Sequence, residues 1–249
     1  MVTHSLARRA HFFKGPTRPS RQGQRPGLSH LDIVGSGAIG TARARRLGVG
    51  RQVILADSSP DRSSRARDDL TTAGHAVTAL IVDITSASSV LNLAEIVARA
   101  GELDVIVLTA GIAPQQGTSQ QILRVDLYGV ALVIYGFLPL ARRGTAMTVF
   151  SSGGAYSETF SKGTERMIAT TPTEMLLNLE VIDLESPDTR RSYHLAKRAL
   201  QARVQVEALR WCVRGARINT VSPGVIATPM TVSEMQSFNE ETRVKARAH

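Results

Sequence analysis

The stretch Leu31-Asp32-Ile33-Val34, followed by Gly35-Ser36-Gly37-Ala38-Ile39-Gly40 and the helix-forming residues 41–47, constrains this chain more than any other. It reads as strand, glycine turn, helix. Glycines let a backbone approach a pyrophosphate, and the helix N-terminus supplies unpaired N–H groups and a partial positive charge to receive it. A lone G-x-G-x-x-G is weak evidence, but Val53-Ile54-Leu55-Ala56 follows as a second apolar strand and ends at Asp57. An acid about 20 residues past the glycines can accept hydrogen bonds from an adenosine ribose. Asp32 runs against the pattern, because a charge inside a central strand is costly unless it lies at the strand's exposed start.

Strand and helix signals then alternate. Residues 61–73 read as a polar helix and residues 76–82 as a buried strand ending at Asp83; Val90, Leu93, Ala94 and Val97 form a helical stripe closed by Gly101. Residues 104–108 form a fourth strand that ends in Thr109-Ala110-Gly111. Residues 120–142 are apolar nearly all round, as in a helix buried on a sheet or against another subunit. Val149 and Phe150 belong to a fifth strand ending at Ser151-Ser152-Gly153-Gly154, and residues 218–221 form a sixth, broken by Ser222-Pro223-Gly224. Such repetition predicts an α/β Rossmann-type fold: a doubly wound parallel sheet of six readable strands with helices on both faces, three layers in all. Ligands then belong at the strands' C-terminal ends.

Between the fifth and sixth strands the rhythm breaks. Residues 157–190 read as an insert, a lid or substrate loop, with a short helix starting at Thr171-Pro172-Thr173-Glu174 as N-cap, N1 proline and N3 acid. Behind it, Ser192-Tyr193-His194-Leu195-Ala196-Lys197 opens a helical stripe that runs through Leu200, Val204, Ala208 and Trp211. Tyr193 and Lys197 are one turn apart and share a face. An ammonium beside a phenol, which alone titrates near ~10, favours the phenolate and so allows proton exchange with an alcohol or carbonyl near neutral pH.

Composition narrows the classes. With 249 residues and 43% apolar side chains, the chain can bury a sizeable core. The formal charge is +9, but residues 1–30 hold six Lys/Arg and no acid, which leaves +3 for the rest. Those residues read as a disordered basic tail in which Pro16, Pro19 and Pro26 prevent a continuous helix. With Phe12 and Phe13 as the only aromatics there, no nucleic-acid partner is expected. The nucleotide-binding domain is expected over residues 31–236 and a polar tail over residues 237–249. The longest apolar run, residues 129–141, falls short of the roughly 20 residues of a membrane span. Cys212 is the only cysteine and reads as a core thiol; with no internal disulfide possible, a reducing cytoplasm suits the chain.

The glycine turn, Thr109-Ala110-Gly111, Ser152, Tyr193 with Lys197, and Pro223-Gly224, in this order, resemble the short-chain dehydrogenase/reductase family over residues 31–230. The resemblance implies an oxidoreductase that interconverts a small secondary alcohol and a ketone by hydride transfer with NAD(H), assembled as a homo-oligomer when complete. By resemblance, Tyr193 is the general acid/base and Lys197 holds the nicotinamide ribose. Ser152 bonds the substrate oxygen, with the adjoining Ser151 as the alternative. Gly35, Ser36, Gly37, Ile39, Gly40, Ala110 and Gly111 would line the cofactor, Asp83 and Ile84 would meet the adenine, and Pro223, Gly224, Ile226 and Thr228 the nicotinamide. Asp57 implies NAD rather than NADP, since a carboxylate there repels the extra phosphate, and Arg62 is the nearest basic residue that would oppose this preference. No metal is implied.

The chain also departs from the family pattern. Ala38 stands where a glycine is usual, and Asp126 where the family has an asparagine that fixes a proton-relay water. The separation of 41 positions from Ser152 to Tyr193 requires the insert to bulge outward. The family's seventh strand has no readable counterpart in the 25 residues after Gly224. These departures sustain an alternative, a truncated and catalytically impaired nucleotide-binding relative, and predict a chain that is poorly soluble or weakly active alone.

Overall fold

The first strand starts earlier than its apolar run, taking in Ser29 and His30. The computed structural model describes residues 29–228, so the tail expected over residues 1–30 is corrected at Ser29 and His30, which are strand, and otherwise lies outside the described residues, as do the tail expected over residues 237–249 and most of the stretch after Gly224 in which no seventh strand is expected. In chain order the elements are β1 (Ser29–Val34), α1 (Ala38–Leu47), β2 (Gln52–Asp57), α2 (Pro60–Thr72), β3 (Ala76–Ile81), α3 (Ala87–Ala100) and β4 (Glu102–Leu108). There follow α4 (Ser119–Leu123), α5 (Val130–Phe137), β5 (Ala146–Phe150), α6 (Lys162–Thr170), α7 (Thr189–Val213) and β6 (Arg217–Val221).

The six strands form one sheet in the order β3-β2-β1-β4-β5-β6, and every pairing is parallel. The chain winds outward one way from β1 to β3 and the other way from β4 to β6. The connections therefore diverge above β1 and β4, and a crevice opens at those strands' C-terminal ends. Alternation along the strands fills both faces. Leu31, Ile33, Val53 and Leu55 pack against Ala44 of α1 and Leu70 of α2. Val34, Ile54, Ile106, Leu108 and Met147 point the other way, under Leu93 of α3, Val133 of α5 and Leu200, Val204 and Trp211 of α7. Those are the three layers predicted.

Asp32 does not lie at an exposed start. It shares a strand face with Val34, is 1% exposed, and has no hydrogen-bond partner among the described residues. Burial pushes its carboxyl well above the usual range, which favours the neutral acid over the carboxylate. His30, equally buried, places Nε2 3.8 Å from Asp32 Oδ2.

The long apolar segment is continuous but not uniform. Between α4 and α5 the residues Arg124–Gly129 wind as a π-helix, and Leu138–Leu140 close the segment as a 3-10 turn. By length and a mean hydropathy of 1.6, Ser119–Leu140 is apolar enough to cross a membrane, unlike the shorter run read from sequence. Since 67% of that window is buried inside the protein, the core uses its apolar surface.

The insert does not bulge outward. Ile168 of α6, Leu176 and Ile182 join Leu123, Leu127, Leu195 and Ala199 in a cluster of their own. Thr171 closes α6, its hydroxyl donating to Met167 O at 2.7 Å, so it is not an N-cap; Pro172 precedes the 3-10 turn Thr173–Asn178. From α7, the buried Arg203 donates through Nη1 to Ile168 O (2.9 Å) and Thr171 O (2.8 Å), and through Nη2 to Thr173 Oγ1 (3.1 Å). One guanidinium thus satisfies the carbonyls that end α6 and ties the insert to the helix bearing Tyr193. Cys212 is exposed, one position past the buried Trp211, and is not a core thiol.

Candidate active site

The glycine turn is built for close approach. Gly35 adopts φ +108°, and a Cβ on Gly40 would fall 1.9 Å from Gly35 O. The turn is stitched to the end of β4: Thr109 N and Ala110 N both donate to Val34 O (2.8 and 2.9 Å), and Thr109 Oγ1 donates to Gly35 O (2.9 Å). The first turn of α1 contains no acid, and no side chain caps it, which leaves its N–H groups for an anion. A cleft of about 1060 Å³ opens here. Gly35, Ser36, Gly37, Ile39, Gly40, Asp57, Asp83, Ile84, Ala110, Gly111 and Thr228, which the family resemblance assigns to the cofactor, line it. Arg62, the nearest basic residue past Asp57, lines it too, as do Arg45, Arg65 and Asp69, to which the sequence did not point.

At one end Asp57 closes β2 with both oxygens engaged. Oδ2 accepts Ser36 N (2.7 Å) and Ser36 Oγ (2.8 Å), and Oδ1 accepts Ser59 N (2.9 Å) and Arg62 Nη2 (2.8 Å). Arg62 Nε lies 3.2 Å from each oxygen. Burial alone would push this carboxyl up. The Arg62 guanidinium, with the Ser59 and Ser36 donors, outweighs it and holds the group below the usual carboxylate range.

At the inner end α7 presents Tyr193 and Lys197. Lys197 Nζ lies 5.4 Å from the centre of the Tyr193 ring, donates to Phe150 O at 3.4 Å and sits 3.5 Å from Asp126 Oδ2. Asp126, carried by the π-helical turn, is fully buried. Its Oδ1 accepts Ile112 N at 2.9 Å, while Oδ2 has no hydrogen-bond partner among the described residues. Burial pushes the Asp126 carboxyl up by more than the Lys197 ammonium and the Ile112 N–H pull it down. A Cβ on Gly111 would fall 3.0 Å from Asp126 Oδ1 and 3.2 Å from Lys197 Nζ. Gly111 therefore borders the cleft on one side and the acid–lysine pair on the other.

The two serines differ. Ser151 N donates to Val221 O and Gly153 N to Pro223 O, each at 2.8 Å, which zips the end of β5 to the continuation of β6 and brings Pro223 and Gly224 beside Ser152. Ser151 is buried, its hydroxyl donating to Lys197 O (2.9 Å) and facing Gln201 Nε2 (3.3 Å). Ser152 Oγ accepts Gly154 N at 3.1 Å and is only half-buried. Ser152, Asp126, Tyr193, Lys197, Pro223, Gly224 and Ile226 do not line the cleft; of the expected nicotinamide contacts only Thr228 does. Arg203 carried a signal that the sequence reading passed over. It falls seven residues after Ala196 and three after Leu200, a charge inside an apolar stripe.

Comparison with known proteins agrees with this layout. The profile of the short chain dehydrogenases matches residues 33–161, more than half of the chain. The chain belongs to the short-chain dehydrogenase/reductase family. A second profile, that of enoyl-(acyl carrier protein) reductase, matches residues 162–249, so the likeness runs past the Met230 limit of the motifs. The short-chain dehydrogenase/reductase bsc3 of Alternaria brassicicola is 36% identical over 215 residues, covering 86% of this chain and 78% of that protein. A 3-alpha-hydroxysteroid dehydrogenase/carbonyl reductase of Comamonas testosteroni is 24% identical over 197 residues, covering 74% and 76%. Among solved structures, a short-chain dehydrogenase/reductase from Burkholderia xenovorans superposes with a TM-score of 0.67 at 22% identity, over 90% of this chain and 81% of that one. Actinorhodin polyketide ketoreductase with NADPH gives 0.64 at 21%, over 89% and 82%. At such identities the superpositions speak to the fold alone.

Proposed function

We propose that this short-chain dehydrogenase/reductase interconverts a small secondary alcohol and a ketone, with NAD(H) as the hydride carrier. The observation that carries the reading is the seat of Lys197: its ammonium lies 5.4 Å from the centre of the Tyr193 ring and adjoins Gly111 at the inner wall of the cleft. The cleft suits a dinucleotide on its own geometry, since the uncapped start of α1 offers donors and the glycine turn leaves no side chain in a pyrophosphate's way. Gly35, Ser36, Gly37, Ile39 and Gly40 would hold that group, with Asp83 and Ile84 at the adenine and Thr228 toward the nicotinamide. Asp57 supports NAD(H), because its carboxylate disfavours a phosphate on the adenosine ribose.

When bound, a nicotinamide supplies or accepts the hydride at its ring C4. The protein handles the proton. Tyr193 gives its hydroxyl proton to the carbonyl oxygen as the alcohol forms, and takes it back in the reverse direction. The ammonium of Lys197 lies where it stabilises the charge left on that oxygen. Ser152 donates its hydroxyl to the substrate oxygen and fixes its position. Ser151 cannot share that task while its own proton is committed to Lys197 O.

A second reading has one observation behind it. Asp126 already compensates Lys197, which favours a family member that binds the dinucleotide and turns over nothing. NADH consumption across a panel of ketones, run beside calorimetric titration of NADH, separates the two: binding with turnover supports the enzyme, binding alone supports the second reading, and no binding overturns both. A cytoplasmic homo-oligomer is the proposed setting, to be checked by cell fractionation and by mass in solution.

A further inference from the structure

We propose that Gln201 is a positioning residue for the reaction: its side-chain amide holds the two strand ends that carry Ser152 and Pro223 in place against the helix that carries Tyr193 and Lys197. This rests on the reading of Ser152 as the group that fixes the substrate oxygen. Gln201 falls one turn after Lys197 on α7, where it interrupts the apolar stripe of Leu200 and Val204, and it is 7% exposed. An amide buried at that depth costs stability unless its donors and its acceptor are served.

The neighbours allow it one orientation. Arg198 has no acceptor, so the Gln201 atom that meets Arg198 Nη1 at 3.2 Å is the carbonyl oxygen Oε1. That turns Nε2, which can only donate, toward two hydroxyls: Ser222 Oγ at 2.9 Å and Ser151 Oγ at 3.3 Å. Both hydroxyls therefore accept from it, and Ser151 passes its own proton to Lys197 O at 2.9 Å. Behind Arg198 stands Glu165 of α6, which accepts from Nη2, so the insert holds the guanidinium that orients the amide.

The two serines sit where placement matters. Ser151 directly precedes Ser152 at the end of β5, and Ser222 directly precedes Pro223 at the end of β6, on the way to Thr228 in the cleft lining. Backbone bonds from Ser151 N to Val221 O and from Gly153 N to Pro223 O join the strand ends to each other. Ser151 ties β5 to α7 through Lys197 O, and Gln201 ties β6 to the same stretch of helix through Ser222 Oγ. Removing the amide orphans little: Ser151 keeps Lys197 O, Arg198 keeps Glu165, and the half-buried Ser222 can turn to water. Its loss should therefore appear in the placement of Ser152 relative to Tyr193, not in stability, and a displacement of about 1 Å can cost a hundredfold in rate.

Three variants test this beside the unmodified chain, in ketone reduction by NADH, calorimetric titration of 5′-ADP and thermal unfolding. Gln201→Leu continues the apolar stripe; the near-isosteric Gln201→Glu keeps an acceptor for Arg198 and loses both donors; Arg198→Met frees the amide to flip. The two Gln201 variants should lower kcat by about tenfold or more with the ketone KM within about threefold. Arg198→Met should show the same pattern at about threefold. In Gln201→Leu the thermal midpoint should stay within about 3 °C and the 5′-ADP dissociation constant within about twofold, since the adenosine end lies elsewhere. An unchanged kcat in the Gln201 variants overturns the proposal and leaves the enzyme reading standing. So do rates that fall only together with the thermal midpoint and 5′-ADP binding, or failure of all three variants to fold, because Gln201 is then a residue of the fold alone. An unmodified chain that binds 5′-ADP and reduces no ketone removes the reading of Ser152, and the positioning role with it.

Discussion

At one end of the cleft Asp57 meets Arg62 in a forked pair with the guanidinium half exposed; behind Gly111, outside the cleft lining, Asp126 meets Lys197 at 3.5 Å with side chains 0% and 6% exposed. Both are acid and base, yet the two carboxyl groups are displaced in opposite directions. The count of donors explains the difference. Asp57 has enough hydrogen bonds to replace its lost hydration, whereas Asp126 has one backbone N–H and a cation that makes no hydrogen bond to its second oxygen. Nearness to a positive charge does not by itself offset the cost of burying a carboxylate whose lone pairs go unserved.

The largest expected effect separates chemistry from binding. Tyr193→Phe should lower kcat by at least about a hundredfold while leaving the NADH dissociation constant within about twofold, since it removes a proton and little surface. Both quantities are to be measured on one preparation. A variant that keeps most of its rate would remove Tyr193 from the acid–base role, and one that loses both would mean the two ends of the cleft do not act separately.

Stability sharpens the contrast next. Lys197→Met strands a buried carboxylate and should lower unfolding free energy in urea by about 3–5 kcal/mol, together with losses of rate and NADH affinity. Arg62→Leu removes a half-exposed partner from an acid that keeps its Ser36 and Ser59 donors, and should lose less than about 1 kcal/mol. Equal losses at the two sites would dissolve the distinction drawn from burial.

The smallest effect is a difference of sign with pH. Asp126 has a raised folded value, so between the unfolded value near ~3.9 and that raised value the folded protein holds a proton that the unfolded chain has released; stability falls as pH rises across this window. Asp57 is depressed, so its contribution is fully present above ~3.9 and is lost as pH falls through its folded value. Thermal melts of Asp126→Asn should therefore gain on the unmodified protein as pH rises above ~4, whereas those of Asp57→Asn should fall behind it as pH rises toward ~4 and stay behind by a constant margin above, each by about 2–4 °C. Parallel curves for the two variants would mean that both acids are ionised alike.

What the sequence showed of this molecule lies where apolar runs stop. Asp57 ends a strand and Gly35, Thr109, Ser151 and Pro223 come just after one, and strand ends are local events marked by composition. Arg62 stands out as the basic residue nearest Asp57, but residues 62, 65 and 67 are all arginine near the start of one helix, and only the folded side chain shows that Arg62 pairs with Asp57 itself. Alternation gave Asp32 its side of the sheet, but not the depth of helix laid over it. The stripe of Leu200, Val204 and Trp211 fixes a phase from which Cys212 is about 100° away, so its exposure was legible and was overlooked. The docking of residues 157–190 was not legible, since it depends on Arg203 reaching carbonyls some thirty residues earlier in the chain.

The π-helical turn Arg124–Gly129 gives this site an unusual relation to insertions and deletions. Such a turn carries one residue more than an α-turn spans, and it sits between two α-helices whose apolar faces are already committed to the core. Deleting one residue inside it would restore plain α-helical winding with little change in composition. Residues on the two sides of the deletion would then turn by about 100° relative to one another, enough to carry the Asp126 carboxylate off Lys197. Substitution at position 126 can only exchange the group that faces the lysine. A change of reading register in the helix can withdraw it with its chemistry intact, so lineages of this chain can gain or lose the pair by a length change that no comparison of residue types at a fixed position would detect.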